Sequence, residues 1–416
     1  MEYINLAGTS LKRTSIGTLF LITFLDLLGM TMAIPILTPL VLDTNSGLLN
    51  ANWNFQERSI LLGCLIATYP FTSFFGATIL GSLSDRYGRK RMLLLCLAGS
   101  LIGYLMFAFA LIYKSVALIF VSQGINGFTG GNQSIIQSSV ADISTEETKT
   151  KNFGLIGMAF GLGFILGPFI GGTLSSVQMV SWFSYSTPFF TAALFELVNI
   201  VLVVFTLQET SVYKNQEKHS YFKSIGNLIT VFGSRRLGLL FTFIFLYYLG
   251  FNFFTEFFPA YLVQQFIFTA KEIGYFFAYV GIWLGFAQGV IVHQWLHKAQ
   301  PKKIILLLLP MLAGSLLLLL LPRQIWWLGA FSIITAITQG ILMPNTMTLI
   351  SNSVLPSEQG KYLGINNSLH AASTVLPPVI AGYLTTIDIR LPTIVAAFLI
   401  LIAWIVVQRA FKKQMS

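Results

Sequence analysis

Charge is what this sequence has least of. Lys, Arg, Asp and Glu make up only 10% of its 416 residues, where soluble domains carry about 25%. With 25 basic and 15 acidic side chains, the chain lacks the polar surface that soluble domains of this length would expose. A soluble enzyme and a nucleic-acid-binding protein are thereby excluded. Disorder is excluded as well, because hydrophobic residues are 55% of the chain and disorder needs few of them. Cysteine is scarce too. Cys64 and Cys96 both lie in apolar stretches and offer neither a disulfide framework nor a zinc site. A G-x-x-x-x-G-K-[ST] loop is missing, so ATP is not the implied energy source. No metal cluster, nucleophile–base set or cofactor motif is found. The opening MEYINLAGTSLKRT lacks the short apolar core and cleavage site of a secretory signal, so the first apolar run is expected to be a retained span.

What is present in quantity is apolar length. A bilayer core of roughly 30 Å needs about 20 helical residues. Runs of that kind fall near 15–42, 58–80, 92–112, 115–138, 153–175, 187–207, 237–263, 272–292, 303–321, 325–349, 361–385 and 391–409. They predict an all-α integral membrane protein with twelve transmembrane helices. The fifth and eleventh runs are softer, diluted by glycine, asparagine and serine. The net charge of +10 then reads as cytoplasmic-loop bias. With the N-terminus inside, 20 of the 25 basic residues fall on the cytoplasmic side, and only Arg58, Lys114, Lys271, Arg323 and Arg390 fall outside. Both termini are thus expected in the cytoplasm. The longest hydrophilic stretch, 209–236, divides the chain into a bundle over 1–208 and another over 237–416, six spans each.

The halves resemble each other. At an offset of 210, Gly154 meets Gly364, Pro168 meets Pro378, Gly172 meets Gly382 and Leu174 meets Leu384. Parallel six-helix repeats place a central path between them, which suits alternating access. In the fifth span, Gly154, Gly157, Gly161, Gly163, Gly167, Gly171 and Gly172 thin one side and permit close helix approach, while Pro168 removes a backbone donor. Tight packing and a moving seam at a gate are both readings of that pattern.

The loop GSLSDRYGRKR (81–91) resembles the signature G-x-L-x-D-R-x-G-R-K of the major facilitator superfamily. Gly81, Leu83, Asp85, Arg86, Gly88, Arg89 and Lys90 all match. GFILGPFIGG (163–172) resembles the antiporter motif of the family's drug–proton exporters, and LDLLGMTMAIPILTP is similar to the twelve-helix branch that includes tetracycline-efflux proteins. The resemblance covers essentially the whole chain. It implies the major facilitator fold, residence in a bacterial cytoplasmic (inner) membrane, and a gate in which Arg89 pairs with Asp85 and Asp142. Gly81, Arg86, Gly88, Gly167, Pro168, Gly171 and Gly172 join that candidate gating set. A worn copy of the loop follows the eighth span, with Gly289 and His293 in place of Gly81 and Asp85. Phe120 stands where the family usually carries an arginine tied to proton handling.

Four ionisable residues lie deep in spans: Asp26, Glu196, Glu256 and His370. No Lys or Arg lies as deep. An unpaired charge is expensive in lipid, so each is a candidate to exchange a proton against substrate; a neutral acid bonded to a neighbouring helix is the structural alternative. Asn126, Gln133, Gln137, Tyr248, Gln339, Asn345 and Asn367 are candidates to line the path. The expected partners are lipid, protons and a small organic substrate of neutral, cationic or amphipathic character, with no nucleic acid, and the expected working unit is a monomer. The leading reading is a proton-coupled secondary exporter. An importer or facilitator on the same fold and a non-transporting receptor or scaffold stay open.

Overall fold

The computed structural model describes residues 16–145, 148–210, 235–295, 300–354 and 359–412. Among them there is no strand. The helices of the first half are α1 (Ile16–Met32), α2 (Ile34–Leu42), α3 (Phe55–Tyr87), α4 (Arg89–Ile112), α5 (Val116–Thr129), α6 (Asn132–Ile143), α7 (Lys149–Leu174) and α8 (Thr187–Thr206). Those of the second are α9 (Arg235–Phe266), α10 (Ala270–Phe286) running into a π-helical stretch (Ala287–Trp295), α11 (Pro301–Leu318), α12 (Ile325–Ser351), α13 (Gln359–Leu384) and α14 (Leu391–Lys412). Each apolar run becomes helical because a backbone in lipid must satisfy its own N–H and C=O groups, and a helix does so within the run.

These elements fill the twelve anticipated runs. Ten are long and apolar enough by themselves to cross a membrane. The fourth falls short because Gly130 and Gly131 separate α5 from α6. The eleventh, α13, is diluted by asparagines, a histidine and the prolines Pro377 and Pro378. The first run also breaks, between α1 and α2. Pro35 has no N–H to continue the ladder there.

Two compact units emerge: Met1–Ile34 with Thr72–Tyr221, and Pro35–Phe71 with Phe222–Ser416. In the first unit, α1 packs on α7 and α8, and α4 on α5 and α8. Leu19, Ile22, Leu93, Cys96, Leu97, Ile135 and Val140 form its apolar core. In the second, α9 packs on α13 and α14, and α11 on α12 and α14. By position in each six-span half these are the same pairings, and α7 and α13 are both 26 residues long with bounds 210 apart. The duplication read from a few glycines and prolines therefore extends to helix limits and neighbours. Large apolar side chains such as Phe205, at 81% exposure, and Trp326, at 86%, point outward, as lipid contact requires. Of the 209–236 linker, residues 211–234 lie outside the described residues, as do His297 and the side chain of His293.

Candidate functional site

The signature loop builds a compact polar knot. α3 ends at Tyr87, the chain turns at Gly88 with φ +100°, and α4 begins at Arg89. That φ disfavours any residue with a Cβ. It also leaves Arg89 at the start of a helix, where backbone N–H groups have no intrahelical partner. Glu209, just beyond α8, takes the first of them: Arg89 N donates to Glu209 Oε1 at 2.7 Å. The Arg89 side chain is 10% exposed and forks between Asp85, at 2.6 Å through Nη1, and Asp142, at 3.2 Å through Nε. Nη1 also donates to Ser84 Oγ at 2.5 Å. Thr210 Oγ1 donates to Asp142 Oδ2 at 3.4 Å, and Lys90 Nζ to the Val204 carbonyl at 2.8 Å. Three helices, α3, α4 and α6, and the chain just beyond α8 thus converge on Arg89. Arg86 takes no part; it is exposed, 5.3 Å from the Tyr87 ring centroid. Gly81 lies instead against Ser134 of α6. Sequence reasoning missed Glu209 and Thr210, whose only signal was an acid directly after a span.

The glycines of α7 divide by face. A Cβ on Gly163 would come within 2.7 Å of Leu27 Cβ, one on Gly167 would overlap Thr31, and one on Gly171 would overlap the Met32 carbonyl. Thr31 Oγ1 donates to the Gly163 carbonyl at 2.9 Å across this contact. Pro168 and Gly172 are buried beside it. Gly154, Gly157 and Gly161 meet no described atom within 4 Å. The seven glycines therefore do not share one seam.

Three of the four deep ionisable groups fall in two polar clusters. In the first unit, Asp26 of α1 accepts from Asn132 Nδ2 of α6 at 3.0 Å, and its carboxyl lies against that of Glu196 on α8. Glu196 is fully buried and neither of its oxygens has a donor. Asn199, one turn along α8, donates to the Ile22 carbonyl at 3.3 Å. Asn126 packs on Gly103 of α4. Gln133 and Gln137 are half-buried, one turn apart on α6. Phe120 is half-buried on α5.

In the second unit, α9 offers a polar row to α12 and α13. Tyr247 donates to Gln339 Oε1 at 2.8 Å, and Tyr248 to Asn366 Oδ1 at 3.3 Å. Asn252 Nδ2 donates to Ser373 Oγ at 2.9 Å. His370 is exposed and meets the Tyr248 ring edge-on at 4.8 Å between centroids. Glu256, one turn beyond Asn252, is half-buried with no hydrogen-bond partner among the described residues. Asn345 bonds its own helix, to the Ile341 carbonyl at 2.8 Å. Asn367 is on α13, with its side chain outside those described. Asn252 and Ser373 were missed, although the four-residue spacing from Tyr248 through Asn252 to Glu256 marks one helix face.

Known proteins match along nearly the whole chain. The sequence model of the Major Facilitator Superfamily matches residues 19–323 and 301–414. "Tetracycline resistance protein, class H" of Pasteurella multocida is 26% identical, with 89% of this chain and 88% of the relative covered. "Major facilitator superfamily domain-containing protein 10" of Mus musculus is 27% identical, with 89% and 87% covered. The crystal structure of the human organic anion transporter MFSD10 (TETRAN) superimposes with a TM-score of 0.70 at 22% identity, covering 96% of this chain and 100% of that one.

Proposed function

The chain belongs to the major facilitator superfamily, and from that membership we propose that it exports small organic molecules by alternating access, in exchange for protons. It is a multi-pass membrane protein and a transporter of this family rather than an enzyme. One observation carries the proposal. Acids inside the spans have no lysine or arginine pairing with them: Glu196 has no donor and Glu256 no partner among the described residues. A site with protonatable acids and no fixed positive charge suits neutral, cationic or amphipathic solutes. Relatives named for tetracycline resistance support that class of cargo.

In this reading, the Arg89 knot holds the cytoplasmic ends of α3, α4, α6 and α8 together in one state and yields in the other. The row from Tyr248 through Asn252 to Glu256, with His370 beside it, meets substrate, and the acids exchange protons. Both termini are cytoplasmic, the membrane is a bacterial inner membrane, the two halves act as bundles joined by the 209–236 linker, and the monomer is the working unit.

Inside-out membrane vesicles test the function, with tetracycline and ethidium as probes. Energised vesicles are expected to accumulate a probe, and a protonophore to abolish the uptake. Flux that ignores the gradient overturns antiport and favours the facilitator. A failure to move either probe, with function left intact by Asp26→Asn, Glu196→Gln and Glu256→Gln, would return the question to the receptor reading.

A further inference from the structure

Four spans separate Asp26 and Glu196 in the sequence, yet the fold sets them side by side. The crossing bond from Asn199 to the Ile22 carbonyl fixes the register of α8 against α1. One turn back on α8 and one turn on along α1 bring Glu196 to Asp26, since spans one and six run in opposite directions. The pair is closed off: Asp26 is 7% exposed and Glu196 0%. Asn132 of α6 and Asn199 of α8 face it, along with the Cys96 thiol of α4. The Tyr104 phenol, also of α4, lies against Gly29, one turn along α1. The face that α7 turns to α1 here is glycine. No lysine or arginine pairs with either acid among the described residues.

The hydrogen-bond inventory points the same way. Each amide that approaches the pair gives an N–H elsewhere than to Glu196: Asn132 to Asp26, and Asn199 to the Ile22 carbonyl. Both oxygens of Glu196 are buried without a hydrogen-bond donor. Buried acceptors in that condition are costly, and two adjacent buried carboxylates without a counter-charge more so. A single proton answers both costs at once. It removes one charge and gives the pair the O–H donor it lacks.

We propose that Asp26 and Glu196 form one proton-binding site inside the first unit, holding a proton between them as a single coupled group. The inference rests on the proton-exchange reading above and deepens it: the coupling site is a carboxyl pair closed off within the first unit, and the Tyr248–Glu256 row offered to substrate belongs to the second. A coupled pair loses or gains its proton as a pair, so replacing either acid by its amide supplies a donor to the other and abolishes the shared site. Glu196 is then as necessary as Asp26.

Infrared spectroscopy of the purified full-length protein tests this without any substrate, over a pH series in H₂O and D₂O. The wild type is expected to show one protonated-carboxyl C=O band that shifts in D₂O and survives in Glu256→Gln. Asp26→Asn and Glu196→Gln should each remove it, and the double variant should remove nothing further. Thermal melting of each variant reports folding, and the D₂O shift in the wild type needs no variant. Partial losses that add up in the double variant would mean two independent acids and overturn the proposal. So would a band that disappears with Glu256→Gln, or one displaced by NaCl and not by choline chloride, which would make the pair a sodium site. A band that behaves as expected in a protein that moves neither tetracycline nor ethidium overturns the export reading and leaves the shared site standing.

Discussion

Arg58 and Arg89 are both buried, and the protein satisfies them in opposite ways. Arg89 is matched by carboxylates and Ser84. Arg58, 1% exposed, meets no carboxylate among the described residues. It donates to the carbonyls of Trp53, Val41, Asp43 and Asn50 at 3.0–3.3 Å, stapling the loop between α2 and α3. A planar guanidinium reaches several separated acceptors, and an ammonium does not. Arg58→Lys is therefore expected to destabilise the protein by about 2 kcal/mol, near the value of one or two hydrogen bonds to a charged group, read as a lower melting temperature in detergent. Arg89→Ala leaves Asp85 and Asp142 without their shared cation. Transport is expected to fall at least tenfold, with Arg89→Lys restoring little, because Lys cannot serve both acids and Ser84 at once. A double-mutant cycle of Arg89→Ala with Asp142→Asn checks it, and additive losses would show that the two do not act together. The sequence marked Arg89 through its motif. It placed Arg58 merely among the outside charges, because burial of a loop-proximal arginine depends on how the loop folds back.

At the scale of an element, α7 shows why a glycine-rich pattern does not name a face. Seven glycines over 154–172 spread around a helix that repeats every 3.6 residues. Only Gly163, Gly167 and Gly171, four apart, meet α1. Gly167→Val should separate α7 from α1 and lower both the melting temperature and transport. Gly157→Ala has open space for its methyl and should melt at or above the wild-type temperature, since alanine also favours the helix. Equal effects from the two would contradict the packing. The α3–α4 turn makes a second case. At Gly88 a Cβ suffers the positive φ and would collide with the Glu209 carboxylate. Gly88→Ala is expected to cost about 1–2 kcal/mol in backbone strain and to disturb the Arg89 N to Glu209 bond as well. That turn was legible from the signature loop; its acidic partner beyond α8 was not.

For the whole molecule, the basic-residue count carries a topological prediction. Fusions at the C-terminus should give fluorescent green protein and inactive alkaline phosphatase, and fusions after Arg323 the reverse. A phosphatase-active C-terminus would mean that a span was miscounted. The sequence by itself determined that the chain lives in lipid, that it has twelve helical runs, where its signature loop lies and that its halves repeat. Those properties are local or compositional: an apolar run of about 20 residues must be helical wherever it sits in a bilayer. Only the tertiary structure decided which side chains meet. Asp26 finds Glu196 rather than a lone cavity, Arg89 gains Glu209 on its backbone, Tyr248 reaches Asn366, and Asn126 packs on Gly103. A helix presents residues on every side, and the register between neighbouring helices, set here by contacts such as Asn199 with Ile22, selects which of them face one another. The scarcity of charge was visible from the first line; the fold set Arg89 with Asp85 and Asp142 in one knot and Asp26 with Glu196 in one buried pair.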